Sequence, residues 1–320
     1  MNDVEEQHCM AYAETLGTLI RCETVSVLHD VNPEKFRPFH TLLTETFPCL
    51  FARLEVEEHN GSLLMRWPGE SRERPLLLMS HHDVVEASGN WTHDPFGGEI
   101  ADGKLWGRGA LDTKVSLWAM LQAAEELFRR CGGYTAGAMG FLFRNIRAFK
   151  PLLTKIMPSV SNAAGAMLKT TLAFTMAGGS QGANVLPQEA WVVGNMRYSH
   201  HQGQQGSLEA VRKLAEKYDV EMEILDPGFQ SPVSDFHTAE FAAVERAVSQ
   251  VFGDVATVPY IMTGASDCRY FSRICDNCFR FSPFAITNEQ LDTIHGIDEN
   301  ITVSELVKGV DFYKTMIREM

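Results

Sequence analysis

No stretch of this chain comes near the roughly 20 consecutive apolar residues that cross a bilayer as a helix. The sequence therefore excludes an ordinary transmembrane anchor as partner to a membrane. Positive charge is also scarce. Only 28 Lys and Arg stand against 41 Asp and Glu, for a formal net charge of −13. So acidic a chain has little with which to displace the counterions of a phosphate backbone, which argues against nucleic acid as the natural partner. Cationic substrates and metal ions stay open. The opening segment, MNDVEEQHCM, lacks the basic and then apolar pattern of a secretory leader, so the expectation is a cytosolic protein. Cysteines number seven and are scattered, as suits thiols in a reducing compartment. One pair, Cys275 and Cys278, has C-x-x-C spacing, but no second pair exists to complete a structural zinc site. Internal repeats and low-complexity tracts are absent. Most pointedly, no Asp, Glu or His occurs between Gly132 and Lys169.

What remains is the composition of a folded protein. The 320 residues are 45% hydrophobic and 22% charged, enough for two domains of ordinary size. Residues 4–21 have helical spacing. Residues 40–67 read as a helix, a strand, a turn at Asn60-Gly61 and a second strand. The run LLLMS (76–80) is short and continuously apolar, as expected of a strand buried on both faces of a mainly parallel sheet. A loop rich in Gly, Asp and Pro follows, with a short hairpin around Ala101-Asp102-Gly103. An amphipathic helix is predicted over 113–130.

The middle changes style. FLFRNIRAFKPLLTKIM reads as a basic, apolar helix ending at Pro158. TTLAFTMAGG and EAWVVGNMRYS read as strands, SLEAVRKLAEKY as a helix and VEMEIL as a further strand. This series resembles part of a small α+β sandwich. A helix over about 236–252, a strand near VPYIM and a final helix over 303–319 complete the chain. The whole indicates an α/β fold whose site lies at the carboxyl edge of its sheet.

Chemistry gathers where the apolar run stops. LLLMS ends directly in His81, His82 and Asp83. Side chains two apart on an extended segment point the same way. His81 can thus offer one ring nitrogen to a metal while Asp83 supports it from behind, a frequent pairing in metal sites. Asp112 sits in GRGALDTK at a loop-to-helix boundary. It suits a helix cap, yet Gly107, Arg108 and Gly109 before it suggest a constrained backbone. His295, in LDTIHGIDEN, precedes the Gly296 of a tight turn. The adjacent acids Glu125 and Glu126 read as a solvated helix face.

Five motifs in this order, HHDVV, GRGALDTK, NVLPQEAWVVGNMRY, MTGASDCRYF and HGIDENI, make the chain resemble the M20 metallopeptidases, in the carboxypeptidase S and N-acyl-amino-acid amidohydrolase branch. The resemblance implies an α/β catalytic domain with a mostly parallel sheet, formed from residues 1–134 and 226–320. It implies an inserted, incomplete, ferredoxin-like lid over 135–225, which would carry a homodimer. Two zinc ions would share a bridging carboxylate and a bridging water, polarise a carbonyl and lower the pKa of that water. The substrate would be a small peptide or an N-acyl amino acid, cut at an amide next to a free carboxylate. Carried over, His81 ligates one zinc with Asp83 orienting it, Asp112 bridges, and His295 ligates the other. Asn184 and Arg197 would grip the substrate carboxylate, which suits the guanidinium fork. Thr263, Gly264 and Arg269 would line the substrate floor. His82 falls in a variable place.

One family motif is missing. After the helix that follows the bridging aspartate, M20 enzymes have a strand ending in two acidic residues, a general base and a zinc ligand. A further acidic ligand stands on the next strand. Here that region is the segment without Asp, Glu or His, as an internal deletion near Tyr134 and Thr135 would leave it. Each zinc would then have two protein ligands where three are usual. Loss of the base alone would cost about two to four powers of ten in rate. Glu86, Glu99 and Asp267 are the carboxylates nearest the motifs that could substitute. The alternatives are a non-catalytic carboxylate-binding or regulatory homologue and a non-functional deleted fragment.

Overall fold

The computed structural model describes residues 3–27, 32–68, 75–129, 170–180, 182, 184–198, 202–226, 228, 231–253, 255–262, 264 and 266–319. The predicted basic helix ending at Pro158 lies outside them. The chain groups into two compact units. One takes in Met1–Ala138, Ala239–Thr257 and Phe281–Met320, and the other Met139–Thr238 and Val258–Arg280.

The first unit is built around three long helices. Helix α1 (Asp3–Arg21), α4 (Lys114–Arg129) and the final helix α9 (Glu305–Glu319) pack on one another, and α6 (Ala239–Phe252) packs on α9. Their inward stripes supply the core: Leu16, Leu19 and Ile20 from α1, Trp118 and Ala119 from α4, Leu306 and Val310 from α9. Two short helices, α2 (Arg37–Thr46) and α3 (Pro48–Phe51), add Phe39, Leu43 and Leu50. The acidic pair on α4 corrects the expectation of a solvated face. Glu125 is buried and accepts the backbone N–H groups of Cys49 and Leu50 at the start of α3. Glu126 accepts from Tyr12, Gln122 and Lys314. Both carboxylates are committed to packing.

Three antiparallel pairings complete this unit. Strands β1 (Glu55–His59) and β2 (Ser62–Arg66) form the predicted hairpin. Asn60 and Gly61 both take positive φ, the left-handed pair that a two-residue hairpin requires. Strands β3 (Glu99–Ala101) and β4 (Lys104–Trp106) form the second predicted hairpin, and β7 (Asn300–Thr302) pairs with β4. The segment Leu76–Ser80 differs from expectation. It forms no strand, and Leu77 is 51% exposed. Among the described residues parallel pairing is confined to one bridge, Val25 with Val84, and no parallel sheet forms. A strand buried on both faces needs a ladder on each edge, and this run has none there.

In the second unit β5 (Thr171–Gly178) and β6 (Trp191–Arg197) pair antiparallel, as predicted, and α5 (Gly203–Lys217) follows. Leu172, Phe174, Met176, Trp191 and Val192 of the two strands are exposed, Phe174 at 69%. The predicted strands at VEMEIL and VPYIM are irregular and mostly exposed, with no ladder partner among the described residues. The short helix α7 (Cys268–Phe271) lies in this unit. Helix α8 (Asn288–Asp292), in the first unit, is closed by a capping box between Thr287 and Gln290. Among the described residues no helix is long and apolar enough to cross a membrane.

Candidate metal-binding active site

Three loops of the first unit converge on Asp112. The loop after Leu76–Ser80 is pinned on both sides. Val84 exchanges backbone hydrogen bonds with Thr24 and Ser26, and the Thr24 hydroxyl donates to the His82 carbonyl. On the other side the Thr113 hydroxyl donates to the His81 carbonyl, and the Ser80 and Thr113 hydroxyls lie 2.7 Å apart. Successive side chains then diverge. His82 turns inward, stacks on Phe39 and meets Phe36 and His40 edge-on. Burial there drives its pKa down to about 4. It is a packing histidine.

His81 turns toward Asp112. Its Nε2 lies 3.2 Å from one carboxylate oxygen of Asp112, and Nε2 of His295 lies 2.8 Å from the other. Behind His81, Nδ1 faces the Asp83 carbonyl at 2.9 Å and its carboxylate at 3.4 Å. The hydrogen bond to Asp112, then that to Asp83, raises the His81 pKa to about 10 against the pull of desolvation. Its side chain keeps 39% exposure, so water screens these pairs. Burial pulls the Asp112 carboxyl upward, but hydrogen bonding to His81 and then His295 outweighs it and holds the pKa below the usual value. The His81 interaction likewise depresses Asp83.

Sequence reading missed the groups that hold this arrangement in place. Glu299 is buried and accepts the backbone N–H groups of Leu111 and Asp112, at 2.8 and 2.9 Å, through one oxygen. Its other oxygen meets Arg108 Nη1 at 2.8 Å, with side-chain exposures of 2% for Arg108 and 1% for Glu299. Arg108 Nη2 in turn donates to the Gly296 carbonyl beside His295, at 2.9 Å. One ion pair thus fixes both the Asp112 loop and the His295 turn. The signal available was Glu299, four residues past His295 in HGIDENI. Gly107 confirms the constrained backbone expected of GRG. Its φ is +148°, and a Cβ there would fall 2.5 Å from Ile20 Cγ2. His295 itself adopts a left-handed φ of +63°, uncommon outside glycine.

The donor types suit a borderline cation such as zinc. They do not complete a site. His81, Asp112 and His295 form two pairs that share one carboxylate. Among the described residues no group of three or more His, Cys, Asp or Glu is placed to hold a metal ion. Of the substitutes considered, Glu99 is engaged by His93 Nδ1 at 2.9 Å, and Glu86 lends its backbone carbonyl to Arg108.

The remaining predicted residues belong to the second unit. Asn184 is exposed on the β5–β6 connection, and Arg197 is exposed at the end of β6. Gly264 precedes α7, and Asp267 is the residue just ahead of it. Arg269, on α7, donates to the Tyr270 hydroxyl at 2.7 Å and lies over its ring. Thr263 lies outside the described residues.

The first unit thus sets an imidazole–carboxylate–imidazole cluster, His81–Asp112–His295, on three loops. The chain belongs to Peptidase family M20/M25/M40, which matches residues 77–144 and 147–319. It is therefore a hydrolase by descent, from a family of metallopeptidases. It is 24% identical to the probable carboxypeptidase S-like 2 of Dictyostelium discoideum, over 99% of this chain and 85% of that one. It is 27% identical to the N-fatty-acyl-amino acid synthase/hydrolase PM20D1 of Homo sapiens, over 97% and 88%. Its fold is similar to that of an M20 family metallo-carboxypeptidase from Sulfolobus solfataricus, with a TM-score of 0.72 at 14% identity and 99% coverage of both chains.

Proposed function

We propose that the chain is a zinc hydrolase of the M20 type for a peptide or N-acyl-amino-acid amide bond next to a free carboxylate, with weakened metal binding and activity. One observation carries the reading. Asp112 turns one oxygen to each of two histidine Nε2 atoms, His81 and His295. That is the arrangement a carboxylate bridging two ions needs. His81 and Asp112 would serve one zinc, His295 and Asp112 the other, with Asp83 orienting His81. Each set is one protein ligand short of three, and the general base is missing. Weakening follows from both.

The similarity to carboxypeptidase S-like and N-fatty-acyl-amino acid proteins supports the substrate class. An internal deletion near Tyr134 and Thr135 would account for the segment without Asp, Glu or His between Gly132 and Lys169. Residues 135–225 would form the shortened lid and the rest the catalytic domain, with Asn184, Arg197, Thr263, Gly264 and Arg269 serving the substrate. The exposed apolar side chains of β5 and β6 support pairing of two lids in a dimer. A cytosolic setting suits the free thiols.

The test is zinc per chain, by elemental analysis of gel-filtered protein dialysed against metal-free buffer, beside hydrolysis of N-acyl amino acids. The expected result is less than two zinc ions retained, with slow hydrolysis restored by added zinc. A folded chain with no zinc uptake and no hydrolysis would refute the reading and leave a carboxylate-binding homologue.

A further inference from the structure

The structure assigns Cys275 and Cys278 as a modification site, a dithiol that closes reversibly to an intrachain disulfide when it meets a small disulfide such as oxidised glutathione. The two thiols are exposed and half-buried respectively. Helix α7 stops where the Cys275 N–H reaches the Phe271 carbonyl, and the chain then turns back on itself. The turn brings Cys278 Sγ to 3.5 Å from the Cys275 carbonyl, and Cys275 Sγ donates to the Asn277 carbonyl within the same turn at 3.4 Å. The Ser234 hydroxyl clamps Cys278 by accepting its N–H at 3.0 Å and donating to its carbonyl at 3.2 Å. An S–S bond, about 2.05 Å long, would join two thiols carried on this one held turn. A zinc clasp is the weaker use of the pair, since no set of three or more donors forms a metal site among the described residues.

The exchange balances. The exposed Cys275 thiolate attacks one sulfur of oxidised glutathione, forms a mixed disulfide and releases one glutathione thiolate. The Cys278 thiolate then attacks Cys275 Sγ, expels the second glutathione and closes the ring. Two thiols are oxidised and one disulfide is reduced to two glutathiones. Burial, then the neighbouring Cys275, pushes the Cys278 thiol up to about 11. The closing step is therefore slow at neutral pH and accelerates as pH rises. Its reach extends past the loop. Arg280, two residues beyond Cys278, donates to Ser266 at 2.9 Å and to Ser231 at 3.1 Å. Ser266 lies within MTGASDCRYF, which puts the dithiol turn two residues from a side chain that contacts that motif.

The full chain, reduced and then desalted, would be treated with oxidised glutathione under native conditions. Remaining thiols would be alkylated and the peptides mapped by mass spectrometry. The expected product is a peptide lacking two hydrogens with Cys275 joined to Cys278, formed faster at higher pH and reopened by dithiothreitol. The Cys278→Ser variant should instead accumulate glutathione on Cys275. Wild-type protein that keeps both cysteines alkylatable, or that holds a stable glutathione on Cys275, would overturn the assignment.

Discussion

Replacing Glu299 by glutamine is expected to cost about 3–5 kcal/mol of folding stability, the usual penalty for removing one partner of a buried ion pair. The choice of variant isolates that pair. Glutamine keeps an oxygen that can accept from Leu111 and Asp112, as Glu299 does at 2.8 and 2.9 Å. Its amide NH2 must then face the Arg108 donor that now lies 2.8 Å from a carboxylate oxygen. Two donors confront each other, and a guanidinium that is 2% exposed loses its counter-charge. Against a total of roughly 5–15 kcal/mol for a natural domain, the loss is large. Urea unfolding followed by circular dichroism measures it. The Arg108→Met/Glu299→Gln double variant should be less destabilised than the sum of the single changes, because the uncompensated cation is gone. Zinc affinity, measured on protein shown to be folded, should fall about 10- to 100-fold in the single variant as the Asp112 loop loosens. A cost below about 1 kcal/mol would be the signature of a screened surface pair. It would refute the reasoning.

Two further outcomes follow from the same geometry. In metal-free protein His81 is more basic when folded, its pKa moving from 6.5 to about 10, so it binds the proton more tightly in the native state. That stability is fully present below pH 6.5 and is lost as pH rises through about 10. The difference in melting temperature between wild type and His81→Asn should shrink over this window, and a flat difference would count against the His81–Asp112 pair. Gly107→Ala should destabilise by about 1–3 kcal/mol through its left-handed φ alone, and by more from the clash with Ile20 on α1. An unchanged melting temperature would mean that the turn relaxes freely.

Local chemistry was the legible part of the sequence. Asn60-Gly61 specified its hairpin because the turn conformation is a property of two residues. The helices α1, α4, α5, α6 and α9 were legible because each carries its own periodicity. Partnered features were not. LLLMS, VEMEIL and VPYIM have the composition of strands, but a strand exists only with a ladder, and composition does not name the neighbour. At the site, His81 and Asp83 were legible from their spacing. Asp112 and His295 needed the ordered motifs, since 183 residues separate them. The Arg108–Glu299 pair spans 191 residues. Each half alone reads as an ordinary surface charge.

That span gives Glu299 a role in time as well as in space. A ribosome delivers Arg108, Leu111 and Asp112 long before it delivers residue 299. Through that interval the guanidinium has no carboxylate to enter the core with, and two loop amides have no acceptor. The nascent chain therefore holds Asp112 on a loop that lacks these contacts, and the Gly296 turn that presents His295 lacks its contact to Arg108. The contacts that fix both become available only with Glu299. Chains interrupted before that residue keep the loop open and hydrated, where proteases find unfolded segments first. The contacts that hold the Asp112 loop and the His295 turn are therefore complete only on a chain that extends through Glu299.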